Sequence, residues 1–397
     1  MKVTFTKSSL ESIVNDSLCA VSDKNTIPVV EGIRFRTEKN GVCSLTTYDL
    51  EKGFKAEVEC DISEEGNYVI NAQKLGRIIR FMPDQYITIN VNDNFVATIT
   101  SGKSKFELHA LDGNSFPSLP ELDGDKAFTI NSGILKKMIN QVSFAIAVTD
   151  QRPMLCGAYF IIKDNQLKVV ACDGNRLAVR EKICEIVNES KDGEELSISF
   201  IVPGKTLSQL IKLMNDDEDV KIYLGRKHVI FKMEGKTFFS RLIEGDYIDY
   251  NRVIPQSAAI SVLINRMSII SALERASLVT EDKNLGQTKA YVKCCFEGNL
   301  LKISSNSITG SVYDELFTEK EGDDITIGFN CRYLLDALRA SDGETLRLLL
   351  TNPLMSVVIE RPEGTEAAEA TNAAEAISAN EKNEKYLYMV CPVKMKE

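Results

Sequence analysis

Apolar positions recur along this chain in two rhythms. In Asn71–Met82 (NAQKLGRIIRFM), Leu75, Ile78, Ile79 and Met82 follow the i, i+3, i+4, i+7 spacing that puts side chains on one face of a helix. The stripe returns at Leu207, Leu210, Ile211 and Met214 in Pro203–Met214, and in weaker form at Leu334, Leu335 and Leu338 in Asn330–Ser341. A short apolar strand precedes each copy: Tyr68–Ile70, Ser199–Val202 and Ile325–Phe329. A second helical pattern opens each unit, over Lys7–Val21, Asn131–Ala147 and Asn265–Val279. Leu10, Val14 and Lys7 of its first copy correspond to Ile269, Leu273 and Arg266 of its third. Between the helices the chain alternates apolar and polar residues, as over 86–100, 220–233 and 345–360, which predicts strands. The pattern as a whole predicts an α+β chain of three repeated domains, each with two helices packed on antiparallel sheet. Pro-containing stretches at 116–125 and 243–255 place the expected domains at 1–125, 126–253 and 254–397.

A chain of 397 residues suits two or three such domains. No apolar run reaches the roughly 18 residues that read as a membrane span. The N-terminus has neither the apolar core nor the cleavage site of a signal peptide, so a cytoplasmic location is expected. Ten cysteines lack C-x-x-C spacing, and the two histidines, His109 and His228, stand far apart. These residues predict core thiols and neither a metal site nor a cofactor.

The net charge of −10 argues against nucleic acid as a partner until its distribution is considered. The six helical stretches sum to +8, so the remainder carries −18. At 100° per residue, Lys74, Arg77 and Arg80 oppose the apolar stripe of their helix, as do Lys205 and Lys212 on theirs and Lys136 and Lys137 on 131–147. One such face is ordinarily just solvated. Three stretches of one sign, with no acidic residue in any of them, point to a surface that meets a polyanion. Arg266, Arg332 and Arg339 extend the set to the last two helices.

Pro203-Gly-Lys-Thr206 follows a strand and opens a helix, as a phosphate loop does, but Ser199 stands where the first glycine of that motif belongs. Nucleotide hydrolysis is therefore not expected, nor any other catalysis. The alternative kept open is a repeat-built scaffold that binds peptides but no nucleic acid.

Four stretches carry a resemblance over nearly the whole chain: Val170–Ala178 (VACDGNRLA), Asp249–Pro255 (DYNRVIP), Gly328–Asp336 (GFNCRYLLD) and Tyr388–Met395 (YMVCPVKM). In this order, over a threefold repeat, they resemble the beta subunit of bacterial DNA polymerase III, the sliding clamp. The resemblance implies a non-enzymatic homodimeric ring, closed head to tail, whose twelve helices face duplex DNA without sequence preference. It also implies loading by a separate ATP-dependent clamp loader. The replicative polymerase and repair proteins would attach through short linear motifs.

The motif pocket implied by the resemblance comprises Leu155, Cys172, Gly174, Arg176, Leu177, Ile248, Arg252, Val253, Asn330, Tyr333, Leu354, Ser356, Met389, Val390, Pro392, Val393, Lys394 and Met395. Arg176 and Arg252 would orient a motif's carbonyls or carboxylates. Lys24 falls where a DNA-contacting loop residue is expected. Lys103, Lys105 and Phe106 match one side of the dimer contact, and Leu278, Val279, Asp314 and Glu315 the other. The chain departs from the family at Cys172 and Asn175, and at Pro153 and Met154, where two rim tyrosines are replaced. It also departs at 361–385, an Ala/Glu-rich insert read as a disordered loop.

Overall fold

The computed structural model describes residues 1–22, 27–38, 41–121, 124–191, 193–280, 291–307, 310–362 and 384–395. Among these, six α-helices stand where the stripes put them: α1 (Lys7–Ser17), α2 (Ala72–Phe81), α3 (Ser132–Ser143), α4 (Gly204–Leu213), α5 (Arg266–Thr280) and α6 (Cys331–Ala340). Four of them begin at an asparagine whose side chain accepts a backbone N–H of the first turn. Asn71 accepts from Lys74, Asn131 from Ile134, Asn265 from Ser268 and Asn330 from Tyr333. Those N–H groups have no partner inside the helix, which is why Asn is favoured there. Two helices are shorter than their periodicity predicts. α1 gives way to a 3₁₀ turn at Leu18–Ala20, and α3 ends at Ser143.

The chain divides into two compact units, residues 1–134, 187–194 and 205–242 in one and 135–186, 195–204 and 243–397 in the other. The first holds a fourteen-stranded sheet whose neighbouring strands run antiparallel. In its core Leu10, Val14, Leu75 and Ile79 of α1 and α2 meet Val3, Phe5, Ile33, Phe35, Ile87 and Ile99 of the strands. The second holds a nine-stranded and a four-stranded sheet. The central third of the chain is thus shared between the units. The reason is continuous hydrogen bonding. Lys236–Arg241 pairs with Lys52–Glu59 in the first unit, and Arg176–Ile183 pairs with Glu384–Val390 in the second.

Each repeat ties its two helices together in one way. The backbone N–H that opens the first helix donates to a carbonyl after the second: Lys7 to Gln85 (2.7 Å), Ser132 to Glu218 (2.9 Å) and Arg266 to Glu344 (2.7 Å). Most of the expected insert, 363–383, lies outside the described residues. The expected end of the insert is corrected, because Glu384 and Lys385 belong to the last strand and Glu384 is buried.

Candidate functional site

The basic helix faces are built by the stripes that predicted them. On α2, Ala72, Leu75 and Ile79 are buried and Lys74, Arg77 and Arg80 are exposed. On α4, Thr206, Leu207, Leu210 and Leu213 are buried and Lys205 and Lys212 are exposed. On α6, Leu334, Leu335 and Leu338 are buried and Arg332 and Arg339 are exposed. Thr206 does not serve a phosphate loop, because its hydroxyl shares a buried hydrogen bond with Ser240 (2.7 Å).

Three candidate cations have partners within the chain. Arg266 donates to the carbonyls of Leu338 and Arg339, closing the C-terminal end of α6. Lys137 donates to Glu384 (2.9 Å) and lies 3.6 Å from Asp342. Arg339 is exposed but paired with Glu274 (2.8 Å). Lys136 is half-buried, and Lys24 lies outside the described residues.

The residues expected to form the motif pocket all fall in the second unit, and five of them belong to one apolar cluster, the floor of the expected pocket. Leu155, Cys172, Leu177 and Met389 are buried there with Ala147, Val170, Tyr250 and Val358, and Ile248 packs against them. Strand register builds this floor, since Leu177 stands opposite Cys172 on one side and Met389 on the other, and Met389 stands opposite Val358. Burial pushes the Cys172 thiol up from its ordinary pKa. Val390 is fully buried, so it supports the floor and does not line it.

Leu354 (81%), Val253 (49%), Met355 (39%) and Val393 (36%) are exposed apolar side chains of the same unit. Pro392 bridges to Phe329, and the N–H of Val393 donates to Gly328 (2.8 Å). A Cβ at Gly328 would meet Met395 Cγ at 2.8 Å and the Val393 carbonyl oxygen at 3.1 Å, so glycine eases the close approach of the C-terminal segment. Lys394 is exposed at its end, and Ser356 donates its hydroxyl to Cys391 Sγ (3.4 Å).

Several polar members also have partners within the chain. The Arg176 guanidinium is held within the chain. Its Nε donates to Asp173 (2.9 Å) and its Nη1 to Asp336 (2.7 Å), and it lies 4.3 Å from the Tyr333 ring centroid. Arg176 therefore shapes the groove by holding the turn at Gly174 (φ +86°) to α6. Asn330 is the N-cap of α6. Arg252 is 85% exposed and pairs with Asp249 at 2.8 Å, the one arginine of the two at the surface.

A charged cluster that the sequence did not reveal lies in the same unit. Arg180, with no exposed surface, donates to Asp342 (2.6 Å) and Glu384 (2.9 Å), and Lys182 also donates to Glu384. Burial raises the Asp342 and Glu384 carboxyls, but the surrounding Arg180, Lys182 and Lys137 outweigh it and hold both below the ordinary range.

Of the expected dimer residues, Phe106 (45%) and Leu278 (81%) are exposed. Lys103 and Lys105 are exposed, and Lys105 pairs with Glu107 (2.6 Å). Val279 is half-buried. Asp314 is neutralised by Arg275, whose Nε donates to it at 2.7 Å, which leaves Glu315 as the exposed acid. Sequence reasoning missed Tyr313 (62% exposed) and Phe317 (88%). The alternation of Gly310–Phe317 would have placed both on the face of Glu315.

Among the described residues no three His, Cys, Asp or Glu side chains could hold a metal, and no helix is long and apolar enough to cross a membrane. A thrice-repeated α+β chain with basic helix faces and an apolar groove is the architecture of a clamp. Models of the DNA polymerase III beta subunit match in succession: the N-terminal domain at 1–120, the central domain at 129–249 and the C-terminal domain at 251–374. The beta sliding clamp of Bacillus subtilis is 31% identical over 373 residues, covering 91% of this chain and 96% of that protein. That of Staphylococcus epidermidis is 33% identical over 359 residues, covering 88% and 92%. The solved Bacillus subtilis clamp superposes with a TM-score of 0.86 at 28% identity, covering both chains fully. A Pseudomonas aeruginosa clamp bound to griselimycin gives 0.84 at 27%, also covering both chains fully. The chain belongs to the bacterial beta sliding clamp family, the non-catalytic processivity subunits of DNA polymerase III.

Proposed function

We propose that two copies of this chain close head to tail around duplex DNA. The proposed domains are 1–125, 126–253 and 254–397. The observation that carries the reading is the exposed basic face of α2 and α4 within a chain of net charge −10. Cations spread over several helices hold phosphates without reading bases, so a ring can slide. The proposed contacts are Lys74, Arg77, Arg80, Lys136, Lys205, Lys212, Arg332 and Arg339.

Two strand edges support the closure. Among the described residues, 104–109 pair only with 96–101, and Gly310–Phe317 pairs only with Leu300–Ser307. Each open edge carries an exposed phenylalanine, Phe106 or Phe317. A head-to-tail pair uses both edges twice and leaves neither free.

The groove of Leu177, Val253, Leu354, Met389, Val393 and Met395 takes linear motifs of the replicative polymerase, an ATP-dependent clamp loader and repair proteins. The site of action is the cytoplasm. The test is retention on DNA after loading. A dimer held on closed circles and lost when they are linearised supports the ring. Binding of motif peptides without topological retention would replace it with a peptide scaffold.

A further inference from the structure

The basic face of α2 has an aromatic ring set into it. At 100° per residue, Phe81 falls about 20° from Lys74 and about 40° from Arg77, on the side opposite the buried Leu75 and Ile79. Phe81 is 82% exposed. Among the described residues, no carboxylate pairs with Lys74 or Arg77. The backbone beneath the ring is held on both sides. Lys7 Nζ donates to the carbonyls of Arg80 (3.2 Å) and Met82 (2.7 Å), which flank Phe81. Met82 leaves the helix with an extended backbone and is buried, and Pro83 follows it. The chain thus turns inward at Met82 and leaves Phe81 outward. The other repeats hold no ring in this place. The residue after the shared basic position is the buried Leu213 in α4 and Ala340 in α6.

An exposed apolar side chain standing alone is ordinary on a protein surface. A ring set between cations on a held turn offers a flat apolar face to a polyanion. Duplex DNA turns its phosphates outward and covers the faces of its bases with one another. A phenylalanine at that surface has no base to stack on. An unpaired base leaves its π-face free.

We propose that Phe81 with Lys74 and Arg77 is a platform for single-stranded DNA, a reading that rests on α2 facing DNA. An unpaired base stacks on the Phe81 ring, and the two cations hold the phosphates on either side of it. Stacking accepts any base, because every base has a π-face, so the platform distinguishes strand from duplex and not one sequence from another. Lys7 acts from behind as a positioning residue, fixing the turn that carries the ring.

The experiment titrates the intact protein into a fluorescein-labelled oligothymidylate and into a blunt duplex of equal length, at graded salt, and reads anisotropy. Phe81→Ala is expected to weaken binding of the single strand about tenfold and of the duplex by less than about twofold. The salt slope for the strand should not change, because no charge is lost. Phe81→Leu, which keeps an apolar side chain without a ring, should match Phe81→Ala, and Phe81→Trp should keep the affinity. An exposed position leaves the urea midpoint in place in all three. Equal losses on strand and duplex, no loss on either, or full affinity for the strand in Phe81→Leu would each overturn the platform. Lys74→Ala in the same assay tells this failure from failure of the DNA face. If it lowers affinity and salt slope on both DNAs while Phe81→Ala changes neither, the face stands and the platform falls. If it too changes neither, both fall.

Discussion

Arg266 closes the helix that carries Arg339: its Nη2 donates to the Arg339 carbonyl at 3.0 Å, and its Nε to that of Leu338 at 3.1 Å. Lys7 does the same two domains earlier, donating to the carbonyls of Arg80 (3.2 Å) and Met82 (2.7 Å). Ser132 fills the place between with its hydroxyl on Glu218 (2.8 Å). Helix C-termini present unpaired carbonyls and partial negative charge, which a cation satisfies best. Arg266→Ala is expected to cost about 1 kcal/mol of stability, read as a lower urea midpoint. It should leave the salt dependence of DNA binding unchanged, and a changed slope would return Arg266 to the DNA surface.

Lys74 and Arg77 should behave in the opposite sense. Each alanine substitution is expected to leave the urea midpoint in place. Each should also reduce the slope of log K against log salt by about 0.9, the share of one phosphate contact. DNA binding at graded salt measures this, and an unchanged slope would remove the residue from the interface.

Arg176 and Asp336 join parts of the chain 160 residues apart, with side-chain exposures of 11% and 24%. Removing one partner strands the other charge in a poorly solvated place. Arg176→Ala is expected to cost about 2–3 kcal/mol, somewhat below the figure for fully buried pairs. Motif affinity should fall with it because the turn at Gly174 loses its anchor. Denaturant titration beside peptide calorimetry separates the two effects, and a loss of affinity without loss of stability would make Arg176 a direct ligand contact.

Of the proposed groove residues, Leu177 is buried and Leu354 exposed. Leu177 has no exposed surface, so Leu177→Ala should cost about 2–5 kcal/mol of stability. Leu354 is 81% exposed, and Leu354→Ala should weaken an apolar motif peptide several-fold with the midpoint nearly unchanged. Equal affinity in Leu354→Ala would place the peptide elsewhere.

Asp342 and Glu384 give the second unit a defined acid limit. Their folded pKa values lie below the ordinary 3.8 and 4.5, so their contribution is complete above those values and is lost as pH falls through the lower folded ones. The urea midpoint should be level from pH 7 to 5 in this respect and fall below about pH 4.5. In Glu384→Gln the midpoint starts lower and that fall is shallower. An unaltered acid slope would mean that other carboxylates dominate.

The repeat was legible because helix periodicity is local. The stripes over Leu75–Met82 and Leu207–Met214 gave α2 and α4 to within a residue at either end, and Asn71 and Asn330 marked where α2 and α6 begin. The apolar floor was legible through family likeness. Pairings between distant residues were not, since nothing near Arg176 announces Asp336 and nothing near Arg180 announces Glu384. The same holds for Arg266, whose charge invited a place on the DNA face while the carbonyls that claim it lie more than seventy residues away. The insert's end was misjudged because Glu384 reads as one more acid in an acidic run, although three cations fold around it.

The ladder joining Lys236–Arg241 to Lys52–Glu59 bears on how this molecule can be dissected. A chain cut after residue 125 would strip Lys52–Glu59 of a neighbour on one side and bare the N–H and C=O groups along it. Bare strand margins recruit whatever strand comes by, including copies of themselves. Truncations at the repeat boundaries should therefore yield self-associating pieces, and segmental labelling or ligation in this protein would do better to leave that seam intact.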